Sequence, residues 1–82
     1  MARADDKVAL VKGQRYRGTI ELTWLESFAS NQTVADKFGE YGFTNVTVTG
    51  SGYTRVAEGT WSEPDMTIDR PAQVKQLEVI EA

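Results

Sequence analysis

Tyr16-Arg17-Gly18-Thr19-Ile20-Glu21-Leu22-Thr23-Trp24 is the most regular pattern in the chain. Tyr16, Ile20, Leu22 and Trp24 fall on one side of an extended strand with Gly18 among them, while Arg17, Thr19, Glu21 and Thr23 fall on the other, because strand side chains alternate between faces. A half-buried strand rich in β-formers is therefore expected here. Upstream, residues 7–12 form a short run with apolar members, and Lys12-Gly13-Gln14 supplies a turn. Together they predict a first β-hairpin.

Downstream, Phe28 and Ala29 lead into Ser30 and Asn31, either of which can accept from the first free N–H groups of a helix; within the triplet Asn31-Gln32-Thr33, Asn31 reads as such a cap. Val34, Ala35, Phe38 and Tyr41 then recur at helical spacing, and Gly42 stands where a left-handed residue would end the helix. Gly39 weakens that helix by about 1 kcal/mol relative to alanine, so packing through Phe38 and Tyr41 must hold it. Thr44, Val46 and Val48 alternate with Asn45, Thr47 and Thr49 in a next strand, with Asn45 as a surface residue. Gly50-Ser51-Gly52 turns the chain into residues 53–61. That strand is mixed: Thr54, Val56 and Glu58 share one face, and Tyr53, Arg55, Ala57, Gly59 and Trp61 the other. A bulge near residues 57–59, or an edge position, would account for it. After Ser62-Glu63-Pro64-Asp65, residues 66–68 form a short strand candidate. The tail reads either as a helix opened by Pro71 or as a strand through Leu77 and Val79, and the turn-then-strand reading is preferred.

The expected fold is a single α+β domain over residues 1–82: a small antiparallel sheet of three to five strands with one helix packed on one face, in the order β-hairpin, β-α-β-β, then a C-terminal strand or short helix. Val34 and Phe38 should meet Ile20, Leu22, Val46 and Val48. Trp24, Phe38 and Phe43 are assigned to the core, since a chain of 82 residues buries only about 60% of its unfolded surface and needs its large side chains to exclude water.

Composition excludes more than it assigns. The chain has nine Lys plus Arg against twelve Asp plus Glu, a net charge of −3, with no His and no Cys. Thiolate and imidazole nucleophiles, Cys- or His-type metal sites and disulfides are therefore absent. Glu58, Glu63, Asp65 and Asp69 could in principle form a carboxylate pair or a cation site, but Glu63 and Asp65 flank Pro64 in a solvated loop and the order of a calcium-binding loop is missing. No catalytic residues, metal or cofactor are expected, and the protein is read as a non-enzyme. No apolar run approaches the roughly 20 residues of a membrane helix, so no membrane insertion is expected. Met1 to Asp6 lack the apolar stretch of a secretion leader, which makes the cytoplasm or a larger assembly the default expectation.

Half of the chain, residues 16–61, resembles SPOR-type domains. The likeness rests on Gly52-Tyr53-Thr54-Arg55-Val56-Ala57-Glu58-Gly59-Thr60-Trp61, with an aromatic, then Arg-Val, then a glycine and an aromatic two beyond it. Polar Ser30-Asn31, a helix with Ala35 and Phe38, and Tyr41-Gly42-Phe43 extend it upstream. Glu58 replaces the usual β-branched residue, and the alanine-rich second helix is not evident after Ser62. The resemblance implies peptidoglycan binding on an exposed sheet face, with Tyr53, Arg55 and Trp61 lining it. From the residues alone, those three form either a recognition patch or a face covered by the tail or another subunit.

A second candidate surface is the basic segment. Arg3, Lys7, Lys12, Arg15 and Arg17 outweigh Asp5 and Asp6, leaving the rest of the chain acidic. Arg15 and Arg17 are its candidate binding residues, toward an acidic neighbour. Nucleic acid is disfavoured by the net negative charge. The function expected is a non-catalytic interaction or assembly module using a sheet edge or exposed sheet face, with a protein partner or self-association, and glycan binding as the alternative.

Overall fold

The computed structural model describes residues 7–80, so the start at Met1 to Asp6, with Arg3, Asp5 and Asp6 of the basic segment, lies outside the described residues. Six strands and one helix follow in the order β1 (Lys7–Leu10), β2 (Arg15–Glu21), α1 (Asn31–Tyr41), β3 (Phe43–Ser51), β4 (Thr54–Trp61), β5 (Met66–Asp69) and β6 (Val74–Ile80), with a 3₁₀ turn at Glu26–Phe28. Four strands form an antiparallel sheet in the order β3-β4-β2-β6. Because β2 and β3 both run antiparallel to β4, they are parallel to each other, and α1 crosses between them: the split β-α-β unit expected from the sequence. The α+β class and the C-terminal strand hold.

The first hairpin does not form. Its turn is present, with Gln14 donating to the Val11 carbonyl at 3.0 Å and Gly13 at φ 88°. But β1 pairs with β5, Lys7 opposite Asp69 and Leu10 opposite Met66. The turn is a corner that carries the chain out of one sheet and into another. Two further bonds explain why: Gly13 N–H donates to the Trp61 carbonyl at 2.8 Å, and Trp61 N–H to the Gln14 carbonyl at 3.0 Å. The turn is thereby tied to the end of β4.

Strand β4 also differs from expectation. It is an interior strand, its register with β2 unbroken from Thr54 opposite Glu21 to Thr60 opposite Arg15. The bulge lies on β3, where Asn45 and Val46 between them face the single residue Gly59 of β4, and Asn45 takes φ 52°. The mixed face of β4 is simply its core face, with Arg55, Ala57, Gly59 and Trp61 all buried.

Helix α1 is capped by Ser30, whose Oγ accepts from Thr33 N–H at 3.1 Å. Asn31 is not the cap: its amide reaches away to the β3–β4 turn. At the other end, Gly42 has φ 122°, and a Cβ there would strike the Glu63 side chain and the Trp61 ring. The core is bipartite. Ile20, Val34, Ala57 and Val74, with Leu22, Phe38 and Val48 against them, form one cluster under α1. Leu10, Tyr16 and Trp61, with Val8, Phe43 and Ile68, form the other under β1 and β5. Leu77 packs against both. The helix therefore meets the sheet much as anticipated, and β5 with β1 covers the half that a second helix would cover in a β-α-β-β-α-β arrangement.

Candidate functional site

The site is built where β2 ends. Leu22 still bonds to the neighbouring hairpin, its N–H donating to the Tyr53 carbonyl at 2.7 Å. The chain then turns at Thr23. The Glu26 carboxylate accepts from Thr23 N–H at 3.0 Å, and the Thr23 hydroxyl accepts from Glu26 N–H at 3.3 Å. This is the reciprocal arrangement of a capping box. The backbone hydrogen bond from Thr23 and then the Thr23 side chain, with a lesser contribution from Gln73, hold the Glu26 carboxyl below its usual range against an opposing desolvation. Ser27 closes the turn, its N–H donating to the Thr23 carbonyl at 2.8 Å and its hydroxyl to the Trp24 carbonyl at 2.6 Å.

A turn this well bonded has no freedom to fold its side chains inward. Trp24, Leu25 and Phe28 are 64%, 72% and 75% exposed, and the two rings meet edge-on with centroids 5.7 Å apart. Tyr53, exposed in the adjacent β3–β4 turn, adds a further ring at the same end of the sheet. Trp24 is thus not a core residue. The clean alternation runs on to it, but the strand stops at Glu21, and the Thr-x-x-Glu signature of residues 23–26 was the signal for that stop. Phe38 and Phe43 are half-buried, in edge contact at 6.0 Å.

Arg55 lies beneath this end, 3% exposed. Its guanidinium donates to the Ser27 carbonyl at 2.9 Å, to Asn31 Oδ1 at 2.8 Å and to the Gly52 carbonyl at 3.1 Å. Asn31 in turn donates to the Gly50 carbonyl at 3.0 Å. One buried side chain thus joins the 3₁₀ turn, the start of α1 and the β3–β4 turn. Burying a charge is unfavourable unless its donors are met, and here neutral oxygens meet them. Arg55 is a support for the surface and does not line it.

Trp61 is also removed from any open face. It is 3% exposed, packed edge-on to Phe43 at 5.0 Å, and its indole N–H donates to the Pro64 carbonyl at 3.0 Å. Of the three residues the SPOR resemblance would place on a binding surface, only Tyr53 is exposed. The reason is registry: Arg55 and Trp61 share the face of β4 that α1 and the β1–β5 pair cover.

Arg15 and Arg17 lie on the opposite, open face of the sheet, toward the far end of β2. Arg17 pairs with Glu58 at 3.2 Å and Glu78 at 3.6 Å. Arg15 donates to the Thr60 hydroxyl at 3.1 Å and the Asn45 carbonyl at 3.2 Å, with Glu58 at 3.9 Å. Both cations are answered within the sheet, so the basic segment offers little net charge there. They are not brought together with Tyr53: β2 extends about 3.3 Å per residue, which sets Arg15 roughly 20 Å from Glu21.

Among the described residues no group of three or more acidic side chains is placed to hold a metal ion, and no helix is long and apolar enough to cross a membrane. No protein-family model matches the chain, and neither a curated protein nor a solved structure matches it.

Proposed function

We propose that the protein is a non-catalytic assembly module that self-associates through the apolar end of its sheet, where Trp24, Leu25, Phe28 and Tyr53 stand exposed. One observation carries this reading: three of these large apolar side chains are held outward by a fully bonded turn and a buried arginine. Contiguous apolar patches on small proteins mark interaction sites, and aromatic residues dominate interface energetics. The reading moves the contact from a sheet edge or open face to the sheet's end. It also changes the driving force, because Arg15 and Arg17 already have partners.

Rings of this kind carry roughly 150–250 Å² each. Exposed as they are, the four side chains supply on the order of 500 Å² per copy, below the ~800 Å² per partner of a standard interface. Association should be weak and concentration-dependent. Light scattering across protein concentration and salt tests it: mass should rise with concentration and persist or grow in sulfate, since excluded salts strengthen apolar burial. The double variant Trp24→Ser/Phe28→Ser should stay folded and monomeric. A wild-type chain that remains monomeric at every concentration overturns self-association. The glycan reading keeps one support, the exposed Trp24 and Tyr53 rings, which could stack on sugars. Co-sedimentation with purified cell-wall sacculi, lost in Trp24→Ser, would establish it instead.

A further inference from the structure

The two halves of the core meet through Leu77 and Phe43, but the elements above them leave space between. Between α1 and the β1–β5 pair, on the floor of the sheet, runs a cleft of about 700 Å³. Its walls include Phe38 and Tyr41 on the helix side and Leu10 and Ile68 on the other, with Tyr16 and Leu77 on the floor. Close-packed interiors leave few voids larger than a water molecule, whereas small-molecule sites occupy roughly 300–1,000 Å³. This one is the size of a site, in a chain of 9.1 kDa.

Each cover is anchored independently, which keeps the cleft open. Helix α1 is fixed at its start by the Ser30 cap and the Asn31–Gly50 bond, and at its end by Gly42 against Trp61. The β1–β5 pair is tied to the end of β4 by Gly13 N–H donating to the Trp61 carbonyl at 2.8 Å and by the Trp61 indole donating to the Pro64 carbonyl at 3.0 Å. The buried polar groups along the cleft are already engaged. The Tyr16 hydroxyl donates to the Ala9 carbonyl at 3.2 Å and accepts from Val11 N–H at 2.8 Å, and the Trp61 indole is bonded to Pro64. The charged groups at its rim are paired as well: Lys37 with Glu40 at 3.7 Å, Asp69 with Lys7, and Glu26 with Thr23 and Gln73. A ligand with its own charge would find no counter-charge, and an ordered water cluster needs two to four polar partners per molecule.

We infer that the cleft between α1 and the β1–β5 pair binds an uncharged, hydrocarbon-rich small molecule, such as a long-chain alcohol or an aromatic hydrocarbon. Selection is by shape and apolarity: the lining is mainly apolar, and the Tyr41 hydroxyl on the helix wall, which has no partner among the described residues, is uncharged. This site is separate from the exposed end at Trp24 and does not depend on self-association.

The test uses the whole chain and the uncharged fluorophore N-phenyl-1-naphthylamine. Saturable binding near one per chain is expected, with dodecanol displacing the probe at least tenfold more effectively than dodecanoate. Ala57→Leu, projecting from the floor, should weaken probe binding at least tenfold and raise the unfolding temperature by filling space. Val34→Phe, from the helix wall, serves the same purpose should the first variant fail to fold by near-ultraviolet circular dichroism. Trp24→Ser/Phe28→Ser should bind the probe as wild type does, which separates the cleft from the exposed end. No saturable binding by the wild type, equal displacement by alcohol and carboxylate, or unchanged binding in a folded cleft-filling variant overturns the inference.

Discussion

Two tryptophans, each preceded by threonine near the C-terminal end of a strand, meet opposite fates. Trp61 closes β4 and is buried against Phe43 and Tyr16's cluster, while Trp24 follows β2 and stands out in solvent. Alternation alone would put Trp24 inside and leave Trp61 open to either placement. The difference is what comes next in the chain. After Trp61, Pro64 returns to accept the indole proton and β5 returns to cover the ring. After Trp24, the Thr23–Glu26 box commits the backbone to a turn before any cover arrives. The side chain's face in a strand matters only while the strand lasts.

The sharpest way to break this comparison is to remove each ring. Trp61→Ala should destabilise the fold by about 3–5 kcal/mol, the range for deleting a buried aromatic, and Trp24→Ala by no more than about 0.5 kcal/mol, as for exposed positions. Urea unfolding of both variants decides it, and similar losses would mean Trp24 is buried after all. Next comes the support under the exposed end: Arg55→Ala should cost roughly 3 kcal/mol, since hydrogen bonds to a charged group contribute about 1.5–3 kcal/mol each and do not add fully. Fluorescence anisotropy of Trp24 in a Trp61→Phe background should fall in the same variant, because its turn loses the Ser27 anchor. A smaller effect is expected at the helix start. Ser30→Ala should lower stability by about 1 kcal/mol, and Asn31→Ser should leave the cap intact while loosening Arg55, visible as faster amide exchange in the β3–β4 turn.

The smallest effect concerns pH. Glu26 has its carboxyl lowered in the folded chain, so its contribution to the turn is fully present above the usual carboxylate range and is lost as pH falls through the lowered value. The Thr23 amide resonance should report that titration, and Glu26→Gln should abolish its pH dependence. Its exposure keeps the influence local to the turn.

Much of the fold was legible because periodicity carries it. The alternation of residues 16–22, the helical spacing of Val34 and Phe38, and the glycines at the turns each state a local preference that the tertiary structure respects, whereas Tyr41, expected to pack with Phe38, is 70% exposed at the helix end. The pairing of β1 was not legible. Four residues with a turn after them fit a hairpin as well as a corner, and only the distant β5 decides between the two. The candidate site was least legible. Arg55 and Tyr53 are neighbours in pattern and opposites in exposure, and a buried arginine satisfied by carbonyls leaves no mark in the sequence around it. Arg17 was correctly placed on the polar face, but its partners Glu58 and Glu78 come from two other strands.

The bulge at Asn45 bears on how far the sheet could ever grow. Among the described residues β3 and β6 each pair with a single neighbour, so each offers a free edge. On β3 the extra residue breaks the row of donors and acceptors midway, and an incoming strand would lose register there. On β6 the irregularity lies at Lys75, near its start, and residues 76–80 run straight. Only one edge can therefore accept a strand cleanly. A like edge pairing with a like edge makes a closed, two-fold pair, and the kinked edges left outside cannot continue the series. Strand addition to this sheet is thereby confined to one side, where a sheet with two straight edges could extend on both.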